Sequence, residues 1–260
     1  MRKYLIFLLI ILCLCGCRKS SRNNRNKQYN NVEKVENEKR ERSDRNQEHD
    51  NSTDDDNDMN VTPHSVEERN SYWSQNGEEN ISMIKSACDY KVPKTKGFAN
   101  KLAGKAHHSD GYFNIEQICS IFSYCRGKWE YVNDPKGEEY LAKSSETIAS
   151  SLTGDCDDFA VLLASCMLAV GGDVCIVTAF GNDGGHAYAE VDVSEMNVNH
   201  VIDYIKNTYS QNHISNVQIR KDKGRMWLNL DWQASYPGGP LFKANIVDYY
   251  YCINGSWSFN

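Results

Sequence analysis

Between Gly154 and Gly172 the chain carries a segment that can only sit in the middle of a fold. Phe159, Leu162, Leu163, Cys166, Met167 and Val170 recur at helical spacing. Ala160, Val161 and Ala164 make the other faces small or apolar as well. A helix that is apolar nearly all round offers no face to water, so it must be central and packed on several sides. Gly154-Asp155 before it and Gly171-Gly172 after it mark its ends.

The neighbouring segments supply the packing. Ile115, Ile118, Cys119 and Phe122 predict a helix with one apolar face, capped by Asn114 with Gln117 in the reciprocal position and closing near Gly127. Trp129 and Tyr131 follow, then a turn at Asn133-Asp134-Pro135-Lys136-Gly137. After the central helix, Val174 to Ala179 is β-branched and predicts a buried strand. Gly181 to Gly185 reads as a hairpin-like loop, His186 to Val193 as a second strand, and Met226 to Trp232 as a third. Helices first and strands later predict an α+β fold with an antiparallel sheet. Residues 64–112 form an N-terminal extension, with a short helix suggested by Trp73, Ile81, Ile84 and Cys88, and the domain proper spans 113–260.

The first 63 residues read differently. Arg2 and Lys3 precede an apolar run, Leu5 to Leu14, of the length of a secretory signal and short for a membrane span. Leu14-Cys15-Gly16-Cys17 resembles a bacterial lipobox, which makes 1–17 a lipoprotein signal peptide and Cys17 the lipidation site. Arg18 rather than Asp follows, which favours the outer over the inner membrane of a bacterial envelope. Residues 18–63 are almost free of apolar side chains and are expected to be a disordered charged tether, reaching on the order of 35–40 Å. Asp54-Asp55-Asp56-Asn57-Asp58 lacks the glycine and closing glutamate of a calcium loop. The net charge of -6 and the lack of a basic stripe exclude a nucleic-acid role.

Cysteine chemistry is the best-supported reading of the domain. Cys156 falls at the first turn of the central helix, where free amides and the positive dipole end favour a thiolate and could hold an oxyanion. Asp157 and Asp158 oppose that charge. His186 opens a strand after a glycine-rich loop and can take the thiol proton. Asp231, on the third strand, can orient the imidazole if that strand lies beside the second. Asp203, in the long connection 192–225, is a rival for that place, and the connection itself is expected to be a hairpin or lid.

Gly154-Asp155-Cys156-Asp157-Asp158-Phe159-Ala160 resembles the nucleophile motif of the transglutaminase-like superfamily. Gly185-His186-Ala187-Tyr188-Ala189-Glu190-Val191 resembles its second motif and Trp227-Leu228-Asn229-Leu230-Asp231 its third, over roughly residues 113–242. The resemblance implies a papain-like core, with the nucleophile on a central helix and His and Asp on adjacent antiparallel strands. It implies acyl transfer through a thioester by Cys156, His186 and Asp231, and it marks Trp129 and Tyr131 as candidates for the oxyanion site or cleft wall. The family holds cross-linking enzymes, peptidases, deamidases and inactive binding proteins.

The expected function is therefore a membrane-anchored cysteine enzyme acting on a protein, peptide or envelope amide, with hydrolysis favoured over cross-linking. The alternatives are a non-catalytic peptide- or glycan-binding domain on a lipid tether and a purely structural lipoprotein. No cofactor or metal is expected. His107-His108 lacks further ligand spacing, and no CxxC pair exists among the ten cysteines. Cys88, Cys119, Cys125, Cys166, Cys175 and Cys252 could pair in fifteen ways, with Cys166 and Cys175 read as buried thiols.

Overall fold

A computed structural model describes residues 76–106, 112–134, 140–182 and 184–259, all within the unit Asn60–Asn260. Cys17, the tether, Asp54 to Asp58, Trp73 and His107-His108 lie outside the described residues.

The central segment is helix α5, Cys156–Ala169, numbered after four helices that precede it. Twelve of its residues are buried, among them Phe159, Leu162, Leu163 and Met167 with no exposed surface. Burying each such side chain contributes about 1.5–3 kcal/mol, so this helix anchors the core. Its sides are covered by α2 (Pro93–Ala103), α3 (Ile115–Lys128) and α4 (Ser144–Ala149), and by the sheet. Helix α1, Gly77–Ala87, packs against the far end of the sheet instead, where Asn80 donates to the Tyr250 hydroxyl at 2.8 Å. The capping box of α3 forms as the residues predict: Gln117 N donates to Asn114 at 3.1 Å and Asn114 N to Gln117 at 3.3 Å.

The sheet has six strands, all antiparallel. They are β3 (Val174–Gly181), β4 (Gly184–Asp192), β5 (Ile219–Asp222), β6 (Arg225–Leu230), β7 (Ile246–Tyr251) and β8 (Ser256–Phe259), in the order β5-β6-β4-β3-β7-β8. Two short segments, β1 (Glu130–Tyr131) and β2 (Thr153–Gly154), pair in parallel beside the start of α5. Strand β3 is buried along its whole length. Val174, Ile176 and Phe180 join the helical core, while Cys175, Val177 and Ala179 join Tyr188, Trp227 and Tyr251 in a second cluster on the opposite face. The fold is thus α+β, a central helix on an antiparallel sheet.

Three segments differ from their sequence reading. The connection after β4 ends in one arm of a hairpin, β5 with β6, but holds a helix ahead of it that was not expected. It forms helix α6, Val198–Thr208, packed on α3 through the buried Val201 and Ile205, and then the edge strand β5. Helix α2 was hidden in the sequence by its Pro93 and Gly97, although Pro93 occupies the helix start that proline tolerates. Strands β7 and β8 were also missed, because Asp248 and a run of tyrosines obscure the alternation of β7.

Candidate active site

The site is assembled where α5 begins. Gly154 ends β2, Asp155 caps the helix, and Cys156 is its first residue. The Asp158 carboxylate turns back over this corner, accepting from Asp155 N at 3.4 Å and from Ala142 N at 2.8 Å. A Cβ on Gly154 would fall 2.3 Å from the same carboxylate, so the glycine lets the cap close. Cys156 is partly exposed, and the backbone N–H of Ala187 on β4 lies near enough to favour its thiolate. Helix start and strand thus meet one residue beyond His186.

Strand order does the rest. Strand β6 lies directly against β4, with Leu230 opposite Ala189. This brings Asp231, just past the end of β6, to His186: Nε2 and Oδ2 are 2.8 Å apart, and both residues are buried. The other Asp231 oxygen, Oδ1, accepts from Gln233 N at 2.9 Å, and Asp231 N donates to Asn229 at 3.1 Å. A carboxylate can only accept, so the imidazole proton sits on Nε2 and leaves Nδ1 as the basic nitrogen. Phe242 packs against the ring with centroids 4.9 Å apart. Asp203, by contrast, is exposed on α6.

Trp129 lies against Phe159 edge-to-face at 4.9 Å. Tyr131 stacks on Trp232 at 4.7 Å, within the electrostatic reach of Cys156, Asp155 and Asp157. The Trp129 and Trp232 indole N–H groups are buried without an acceptor among the described residues. The sequence reading passed over Trp232, although it directly follows Asp231.

Electrostatics at the helix start run against the expectation from the dipole alone. Burial, then the charges of Asp157 and Asp155, push the Cys156 thiol well above its ordinary range, and the Ala187 N–H lowers it only in part. The resting form is therefore the thiol. Asp155, Asp157 and Asp158 place carboxylate oxygens within 4.8 Å of one another, close enough to share one cation. Burial, then the neighbouring Asp155 carboxylate, hold Asp157 well above the usual carboxylate range. Burial raises Asp158 to about 6.

A nucleophile candidate on a central helix, facing a His–Asp pair on adjacent antiparallel strands, defines the papain-like class of fold. The profile of the Transglutaminase-like superfamily matches residues 96–231, more than half of the chain. The protein belongs to the transglutaminase-like superfamily. Comparison with curated proteins gives no match. Among solved structures it is similar to a candidate cysteine protease from Cytophaga hutchinsonii, at 15% identity and a TM-score of 0.36, over 70% of this chain and 53% of that one. The chain thus spans about half the length of that structure.

Proposed function

We propose that this protein is a membrane-anchored cysteine enzyme that cleaves amide or peptide bonds through a thioester, with Cys156, His186 and Asp231 as its catalytic residues. The observation that carries the reading is the 2.8 Å contact between His186 and Asp231, with the Cys156 thiol beside Ala187, the next residue of the same strand. Because Cys156 rests as the neutral thiol, His186 removes its proton as the sulfur attacks the carbonyl, not beforehand. The negative oxygen of the tetrahedral intermediate is met by backbone amides at the start of α5, with an indole N–H of the cleft wall as a further donor. His186 then returns the proton to the departing amine, which leaves a thioester on Cys156. Water, deprotonated by the same imidazole, attacks the thioester and frees the acid and the thiol. Water is always at hand and no feature of the cleft marks an amine acceptor, which favours hydrolysis over cross-linking.

The anchor is proposed to be a lipid on Cys17, in a bacterial envelope and on the outer membrane in preference to the inner. No helix among the described residues is long and apolar enough to cross a membrane.

The raised thiol favours a second reading, a binding domain that keeps the fold without the reaction. One experiment separates the two. Purified protein is incubated with a peptide library and stopped in acid, and acyl adducts on Cys156 are sought by mass spectrometry, with Cys156→Ala in parallel. Adducts and product in the parent alone support the enzyme. Peptide bound equally by both proteins, with no adduct and no product, supports the binding domain.

A further inference from the structure

Two pairs of cysteines, distant in sequence, meet inside the core. Cys125 lies on α3 and Cys166 on α5, both fully buried where these helices pack together. Both are free thiols, and Cys166 is the neighbour that acts most strongly on the Cys125 thiol. Cys88 ends α1 and Cys252 follows β7, both buried beside the Asn80–Tyr250 link that holds α1 to the sheet. The Cys252 thiol donates to the Tyr250 carbonyl at 3.8 Å, and Cys88 is the neighbour that acts most strongly on that thiol. The other buried cysteines have different neighbours. Cys119 faces Tyr209, and Cys175 faces the Ile176 carbonyl from the opposite side of the sheet to Cys252. A disulfide spans Cα atoms about 4.4–6.8 Å apart, a separation that residues on packed elements reach.

We propose that Cys88–Cys252 and Cys125–Cys166 are disulfide pairs, closed during folding by exchange with a disulfide-bearing oxidant, and that Cys156 stays reduced, as do Cys119 and Cys175. For each bridge two S–H bonds break and one S–S bond forms. The two electrons and two protons pass to the oxidant, whose disulfide is cleaved to two thiols. The partner thiol, then burial, hold Cys125 and Cys252 well above the ordinary thiol range, so neither reacts as a thiolate once the reduced protein has folded. Closure therefore belongs to folding, while the segments are still open to the oxidant.

The two bridges act at different places. Cys88 and Cys252 lie on either side of residues 96–231, so their bridge would close a loop around the whole family-matched segment. Cys125 stands four residues before Trp129, and Cys166 shares a helix with Cys156. That bridge would tie the aromatic wall of the cleft to the helix carrying the nucleophile. The sequence reading of Cys166 as a buried thiol holds for its burial; its partner, 41 residues earlier in the chain, was invisible without the helix packing.

The test is a covalent map, independent of turnover. Full-length protein is reduced, unfolded, and refolded in a mixture of reduced and oxidised glutathione. It is then alkylated with N-ethylmaleimide in denaturant, digested without reduction, and analysed by mass spectrometry. The expected products are peptides joined through Cys88–Cys252 and Cys125–Cys166, with Cys119, Cys156 and Cys175 alkylated. Reductant should then lower the thermal midpoint by roughly 10 °C, and by less in the Cys88→Ala/Cys252→Ala variant. Protein purified from a bacterial periplasm and mapped in the same way gives the answer without refolding. Alkylation of all four residues, or bridges to other partners such as Cys175–Cys252, would overturn the proposal.

Discussion

Asp231 has a partner for each oxygen: His186 on one, the Gln233 amide on the other. An Asn at this position would keep the shape and lose the charge that supports an imidazolium. Asp231→Asn is expected to lower kcat by about 10²–10⁴-fold with KM little changed. Asp203→Asn, on the exposed face of α6, is expected to leave both unchanged, and steady-state kinetics of the two variants checks the choice between them. The thiol itself makes a second prediction. Burial does most to hold it in its neutral form, and negative charge at Asp157 and Asp155 adds to that, so removing these carboxylates should lower its pKa. In Asp155→Asn/Asp157→Asn, the pH midpoint for iodoacetamide labelling of Cys156 should move down, with faster labelling at pH 7, read by mass spectrometry.

At the scale of elements, the corner between β2 and α5 depends on the close approach of Gly154 and Asp158. In Gly154→Ala the new methyl group displaces the Asp158 carboxylate from the amides of Asp155 and Ala142. The expected cost is about 1–3 kcal/mol, measured by urea unfolding, with a loss of turnover larger than the loss of stability explains. The sheet carries a pH-dependent element of its own. Glu190 on β4 is buried against Arg220 on β5, whose guanidinium also lies over Tyr249 at 4.1 Å. Burial raises Glu190 from 4.5 to about 7, with the Arg220 contact acting in the opposite direction. The folded protein therefore holds a proton there that the unfolded chain has lost. This contribution to stability is complete below about pH 4.5 and is lost as pH rises through about 7. The urea midpoint of the parent, relative to Glu190→Gln, should fall across that window. A difference that rises instead would mean that the ion pair outweighs the burial.

For the whole molecule, the anchor and the domain make separable predictions. If Cys17 carries lipid, Cys17→Ser should move the protein from the membrane pellet to the soluble fraction while its activity per molecule is kept, as fractionation and a peptide-cleavage assay would show. The described part of the chain explains why activity should survive the release: the contacts that build the site lie between Trp129 and Phe242, within Asn60–Asn260.

What could be read from the residues alone is what depends on local pattern. The all-round apolar face of α5, the capping box of α3, the β-branched run of β3 and the alternation of β6 each carry their period in a few neighbouring residues. The position of Cys156 at a helix start and of His186 at the opening of a strand follow from those elements. The tertiary structure decided what depends on which elements become neighbours. Asp231 reaches His186 because β6 adds beside β4. Asp203 is carried away on a helix whose apolar stripe is committed to α3. Cys166 meets Cys125 because two helices cross. The balance at Cys156 belongs to both levels. Its helix end was legible, but the burial that outweighs the dipole and raises the thiol arises only when β4 closes over it. Periodicity is a short-range property and survives in the sequence, whereas contact and dielectric environment exist only once the chain has packed.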